Sequence, residues 1–266
     1  MLSGLNEALR ELNIPDDTIL YVASDSTLLL REAVKKGNVC NSQDRDAFLH
    51  KFIDALKIFM GMGSTLLFPV FTWVFCKGKD FDRRNTLGEV GALNNWILQK
   101  RQDFSRTQHP MYSFMVWGRE AKIFLDMDNV DAWGEDSPFA YLHHHNGKIL
   151  FLNVSCQRGL TFMHYVEESM RVPYRYFKEF RSNYIDYDGT ESQRRYTMYV
   201  RDLTIQSEEY LSDEMFVKAG VMRRAMWGNL ELKLMDLADA FEVIKNDLLY
   251  NGGKNCYHFT GYELLW

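Results

Sequence analysis

The chain has 266 residues, 46% of them apolar and 25% charged, and 31 basic against 36 acidic residues leave a net charge of −5. That balance belongs to a folded protein with a sizeable core. It excludes a long disordered tract and provides no global basic surface for nucleic acid. Cys40, Cys76, Cys156 and Cys256 form no C-x-x-C pair, and a chain this long needs no staples, so reduced thiols in a cytoplasmic setting are expected.

From the N-terminus, "MLSGLNEALRELNIPDD" spaces Leu5, Leu9 and Leu12 along one helix face, and it lacks the apolar core of a signal peptide. Strand-like and helix-like segments then alternate. "TILYVAS" reads as strand, "RDAFLHKFIDALKIFM" as helix, "STLLFPVFTW" as strand, "GEVGALNNWILQK" as helix and "YSFMVWG" as strand. "SPFAYLHHH" follows as a short helix, "KILFLNVS" as strand and "TFMHYVEESM" as helix. Apolar strands separated by amphipathic helices indicate a sheet covered on both faces. The expected fold is α/β: one domain over residues 1–266, built as a three-layer α/β/α sandwich around a mixed central sheet.

Residues 172–203, rich in Tyr and Phe and carrying the turn dipeptide Asp188-Gly189, should form an antiparallel hairpin excursion. The remainder reads as a helix, a short strand at "LELKLMD" and a last helix with Leu237, Phe241, Ile244 and Leu248 on one face. No run reaches the roughly 20 apolar residues that span a bilayer. "STLLFPVFTWVFC" contains Pro69 and stops at Lys77, so no membrane insertion is expected.

The stretch "GLTFMHYVEE" places a helix start after the strand "KILFLNVS", at the sheet edge where open α/β proteins form ligand crevices. Thr161 stands at the capping position, and His164 precedes Glu167 by three residues and Glu168 by four. A glutamate one turn away fixes a histidine's tautomer and leaves the other ring nitrogen to take a proton. On spacing alone the commoner alternative is a core histidine bonded to a backbone carbonyl, and the two glutamates are equal candidates for the partner acid. The run His143-His144-His145 before Asn146-Gly147 reads as a solvated turn, because adjacent histidines diverge, and no metal is expected.

Five blocks in order resemble the aminoglycoside 3-N-acetyltransferase family. They are "TILYVASDSTLL", "GSTLLFPVFTW", "FDRRNTLGEVGAL", "SRTQHPMYSFMVWG" and "GLTFMHYVEE". The chain departs from the family pattern at Asp25, between Ser24 and Ser26 where the family has adjacent serines, at Leu87-Gly88 in place of Pro-Ser, and at Thr107 in place of serine. The resemblance implies acetyl transfer from acetyl-CoA to a sugar amine, with no metal. It implies that His164 is the base and selects Glu167 as its orienting acid.

By the same resemblance Thr72 meets the acetyl group or substrate, while Ser24, Ser26, Arg106, His109 and Ser113 line the CoA side. Read from the residues alone, Thr72 also fits an ordinary strand-end threonine, and His109, before Pro110, a structural turn.

The acceptor does not follow from the family. Residues 171–201 hold seven basic residues against four acidic ones. If that hairpin borders the acceptor, a nucleotide-linked amino sugar of surface-glycan (O-antigen, lipopolysaccharide) synthesis fits better than a polycation; the alternative is an aminoglycoside and antibiotic resistance. A non-catalytic sugar- or CoA-binding module is the competing class.

Overall fold

A computed structural model describes residues 2–265. The chain begins with α1 (Leu5–Glu11), β1 (Ile19–Ser24), α2 (Ser26–Lys35), α3 (Ser42–Met60), β2 (Thr65–Pro69) and β3 (Phe81–Asp82). It continues through α4 (Ala92–Lys100), β4 (Ser105–Arg106), β5 (Phe114–Gly118), α5 (Ala121–Asp126), α6 (Pro138–His144) and β6 (Lys148–Leu152). Then come α7 (Cys156–Gly159), α8 (Phe162–Ser169), β7 (Arg175–Ile185), β8 (Glu191–Arg201) and β9 (Ser207–Glu209). It closes with α9 (Asp213–Lys218), β10 (Met222–Trp227), β11 (Leu230–Asp236), α10 (Leu237–Tyr250) and β12 (Tyr257–Phe259).

Seven strands form the central sheet in the order β10-β11-β6-β1-β2-β5-β4. Only its centre is parallel, β1 lying between β2 and β6. β11 joins β6 antiparallel on one side and β5 joins β2 antiparallel on the other. The sheet is therefore mixed, in an α/β fold with helices on both faces.

Residue alternation explains the layers. Along β1, Leu20 and Val22 face a core shared with Leu9 of α1, Phe52 of α3 and Ile97 of α4, while Tyr21 and Ala23 face one shared with Phe139 of α6, Val166 of α8 and Ile244 of α10.

Several boundaries differ from the sequence reading. The strand expected over "STLLFPVFTW" ends at Pro69, although the Val70 and Thr72 N–H groups still donate to the Ser113 and Met111 carbonyls beyond it. The segment after β1, expected as a serine loop, is α2: Asp25 is its N-cap and accepts from the Thr27 N–H. His143 and His144 close α6, within the short helix expected over "SPFAYLHHH", and the turn expected for the histidine run begins at His145. The hairpin is present as β7 and β8, in register from Arg175↔Arg201 to Ile185↔Glu191, and joins β3 in a small second sheet. β12 pairs with β9 in a third.

One glycine fixes a sheet junction. Gly118 ends β5 opposite Thr65 with φ +117, and a Cβ there would lie 2.1 Å from the Ser64 carbonyl oxygen. Gly118→Ala should therefore destabilise the fold by about 2 kcal/mol or more, through backbone strain plus a backbone clash, read as a lower urea midpoint at unchanged m-value.

Candidate active site

β6 ends at Leu152, and the short α7 carries the chain to α8, whose first turn presents His164 at the carboxyl edge of the parallel strands. Thr161 occupies the N-cap position but makes no side-chain capping bond. His164 keeps 21% of its side chain exposed, whereas Glu167 is fully buried. His164 Nδ1 lies 2.8 Å from Glu167 Oε2.

A buried carboxylate requires partners, and Glu167 is surrounded by them. Tyr174 donates to Oε1 at 2.9 Å and Tyr257 at 2.8 Å, while Arg175 Nε lies 2.9 Å from Oε2. Burial pushes the Glu167 pKa up, but the Arg175 charge and the bonds from His164 and Tyr257 outweigh it and hold the pKa down at about 2. Glu167 is thus an ionised, acceptor-only group.

The ionised carboxylate bears on the histidine's tautomer. Two groups compete for Nδ1: Glu167 at 2.8 Å and Arg175 Nη2 at 3.0 Å. If Nδ1 accepted from Arg175, its lone pair would face a carboxylate lone pair. The arrangement with Nδ1–H donating to Glu167 avoids this and leaves Nε2 able to accept a proton.

Two clefts meet at this histidine. The first, about 680 Å³ counted with its solvent-open mouth, lies between Phe71, Trp73, Cys156, Arg158 and Leu160, and the second, about 810 Å³ on the same measure, between Trp133, Lys178, Phe180, Met198 and Arg201. Tyr112, His164 and Glu209 line both. Glu209 is the one carboxylate lining either cleft among the described residues. The Trp133 ring packs against the imidazole at 5.1 Å between centroids.

The other residues singled out from the sequence lie elsewhere. Arg106 is buried and acts as a strut: Nε donates to Ser113 Oγ, Nη1 to Thr86 O and Nη2 to Val70 O, and the guanidinium lies over Phe81. Burial lowers its pKa to about 10. Ser113 bonds Val70 O, and His109 Nδ1 accepts the Tyr112 N–H, with burial lowering the His109 pKa to about 3. Thr72 is buried and bonds Glu89. Ser26 is buried at the start of α2, and Ser24 precedes the cap.

Of the predicted set, only His164 lines the clefts; Glu167 stands directly behind it. Thr72, Ser24, Ser26, Arg106, His109 and Ser113 all fall outside the cleft walls. The Arg106 block is bonded within the fold beside Tyr112, with His109 Nδ1 accepting the Tyr112 N–H. His143, His144 and His145 turn to Tyr165, Glu135 and Tyr141 respectively, and no metal-holding group occurs among the described residues.

Tyr112, Trp133, Arg175, Glu209 and Tyr257 were not identified from the sequence. Arg175 alone left a local signal: "RVPYR" follows α8 directly, and the turn at Arg171, with φ 53, brings Tyr174 and Arg175 back beneath Glu167.

Glu168 faces away from the dyad, toward Asp131. Its Oε2 and the Asp131 Oδ1 are buried without a donor from any other group. Burial and the Asp131 charge raise the Glu168 pKa to about 8, and burial raises that of Asp131 as well. The pair sets helix α8 against the Asp131–Trp133 segment, which is bridged to β8 at Thr197.

The site sets a histidine, backed by a buried glutamate, at the junction of two clefts of an α/β fold. The chain belongs to the aminoglycoside 3-N-acetyltransferase family, whose model matches residues 35–248, and is a CoA-dependent N-acetyltransferase with acetyl-CoA as cosubstrate. Solved structures share the fold at low identity. Aminoglycoside acetyltransferase AAC(3)-Xa is 18% identical with TM-score 0.70, covering 91% of each chain. AAC-IIIb, solved as a binary complex with CoASH, is 19% identical with TM-score 0.69, covering 93% of this chain and 96% of that one. Sisomicin-bound AAC-VIa is 18% identical with TM-score 0.68, covering 92% and 96%. No curated protein matches the sequence.

The Glu168–Asp131 pair predicts a pH effect on stability. A carboxyl whose pKa rises from 4.5 to about 8 on folding binds more protons in the native state between those values, so stability falls as pH rises through that window. Glu168→Gln keeps a donor toward Asp131 and removes the titration. Its Tm should match wild type near pH 5 and exceed it near pH 8.5, checked by thermal melts across that range.

Proposed function

We propose that the enzyme acetylates the amine of an amino sugar by direct attack on the acetyl-CoA thioester, with His164 as general base and Glu167 as its orienter. The observation that carries this is the dyad at the junction of two clefts, with Nδ1–H held by an ionised glutamate. His164 Nε2 takes a proton from the amine as nitrogen forms its bond to the thioester carbonyl carbon. The C–S bond then breaks, and the imidazolium returns the proton to the departing sulfur, giving the acetamide and CoASH. The hairpin-side cleft takes the acceptor in this reading. Free thiols at all four cysteines support a cytoplasmic setting.

The comparisons support an aminoglycoside as acceptor, through the family's own name and the neighbour solved with sisomicin. A specific observation favours a second reading, the nucleotide-linked amino sugar of surface-glycan synthesis. Much of the basic charge in 171–201 is engaged away from the cleft: Arg181 and Arg195 pair with Glu179, Arg194 with Asp186, and Arg171 lies over Phe177. Arg175 is neutralised by Glu167. Lys178 and Arg201 remain on the cleft wall without a carboxylate partner among the described residues, beside Tyr176 and Phe180. Two cations against the one carboxylate of Glu209 suit a phosphate-bearing acceptor better than a polycation.

A thiol-release assay with acetyl-CoA against aminoglycosides and nucleotide-linked amino sugars tests activity and acceptor together. His164→Ala should lower kcat by about 10²–10⁴-fold for whichever amine is turned over; wild-type turnover in that variant would sink the base assignment.

Charge reversal at Lys178 and Arg201 separates the two acceptors. Lys178→Glu or Arg201→Glu should raise KM about tenfold for a nucleotide-linked sugar, equivalent to roughly 1.4 kcal/mol, and lower it for an aminoglycoside. An unchanged KM for both would remove the hairpin from acceptor binding.

A further inference from the structure

Strand β12 lies beyond the family-matched residues 35–248, yet it reaches the dyad. Tyr257 is 1% exposed, and its hydroxyl donates to Glu167 Oε1 at 2.8 Å while accepting from Arg175 Nη2 at 3.0 Å. In the β9–β12 ladder Tyr257 stands directly opposite Glu209, which lines both clefts. This short ribbon therefore presents one residue to the substrates and one to the groups behind the base.

We propose that Tyr257 is a positioning residue for acetyl transfer, its hydroxyl holding Glu167 and Arg175 so that His164 keeps Nδ1–H toward Glu167 and Nε2 toward the amine. The inference rests on the dyad reading above and adds the C-terminal strand to the catalytic apparatus.

The reason lies in the position of Arg175. Its Nη2 is 3.0 Å from the Tyr257 oxygen and also 3.0 Å from His164 Nδ1, so a donor able to bind Nδ1 sits beside the base. If Arg175 captured Nδ1, the proton would move to Nε2 and the base would be blocked. Tyr257 restrains both sides of this competition: it occupies a guanidinium hydrogen and fixes the rotation of the Glu167 carboxylate. Burial and the Glu167 charge keep the hydroxyl's pKa well above its ordinary value, so it remains a donor. Tyr174 also bonds Glu167 Oε1, at 2.9 Å, but no bond joins its hydroxyl to Arg175 among those described. The two tyrosines thus differ in the contact that matters.

The test compares Tyr257→Phe with Tyr174→Phe in the full-length protein. Y257F should lower kcat about tenfold, in the range seen when an orienting partner is lost, with KM for acetyl-CoA and for the amine within about twofold of wild type. In ¹⁵N-histidine NMR, wild-type His164 should be the Nδ1–H tautomer, Y257F should show admixture of the Nε2–H tautomer, and Y174F should retain the wild-type tautomer. Wild-type kcat in Y257F, or reduced kcat with an unmixed Nδ1–H tautomer, would overturn the proposal. So would an Nε2–H tautomer in the wild-type protein itself, a measurement that stands even where Y257F folds poorly. Turnover surviving in His164→Ala would instead remove the dyad reading on which the inference rests. An inactive His164→Ala with an unaffected Y257F removes this inference alone.

Discussion

The buried carboxylate of Glu167 is the constraint around which this site is organised. A carboxylate with no water contact is tolerated only when counter-charge and donors compensate for its lost hydration. Here the compensation comes from three separate parts of the chain: His164 on the same helix, Tyr174 and Arg175 on the return into the hairpin, and Tyr257 near the C-terminus. None of these segments can supply the full set alone. The ion pair with Arg175 also fixes where the hairpin begins, because the first residue of β7 is the guanidinium under the base. Satisfying one charge therefore sets both the direction of the imidazole and the root of the wall that borders the second cleft.

How much of this was legible in the sequence depended on the range of the interactions. The strands of the sheet centre are continuous apolar runs, and the long helices repeat their apolar residues every turn, so those elements follow from local pattern. Helix α2 was hidden because Ser24-Asp25-Ser26 looks like a polar loop; the aspartate is a cap, a role that resembles a loop residue until the helix behind it is seen. Strand β10, "MRRAMW", carries adjacent arginines, and β12 has only three residues, so neither shows a period. The dyad spans three residues on one helix and was readable for that reason. Tyr257, ninety residues from Glu167, has no local signature.

The block around Arg106 shows a different limit. Its arginine, histidine and serine are the residue types expected to hold an anionic cosubstrate, and the motif is prominent in the sequence. In three dimensions the guanidinium spends its donors on the carbonyls of Val70 and Thr86 and on Ser113, binding together β2, the loop before α4 and the start of β5. Residue type does not reveal these internal partners, which lie far apart in the chain. A similar correction applies to the hairpin charges, since composition counts every arginine equally while geometry turns most of them to partners outside the cleft.

The two-strand ribbon has an implication for how such an enzyme diversifies. Successive side chains of a strand point to opposite sides, so Tyr176, Lys178, Phe180, Met198 and Val200 shape the cleft, while between them Phe177 packs on Tyr199, whose hydroxyl donates to the Val172 carbonyl. The chemistry is anchored at the ribbon's root, in Arg175, and the rest of its length makes no contact with Glu167. In the proposed reading, a single hairpin thus carries the wall of the acceptor cleft and the support of the base at different positions, so that a substitution in the wall leaves the Arg175–Glu167 pair untouched.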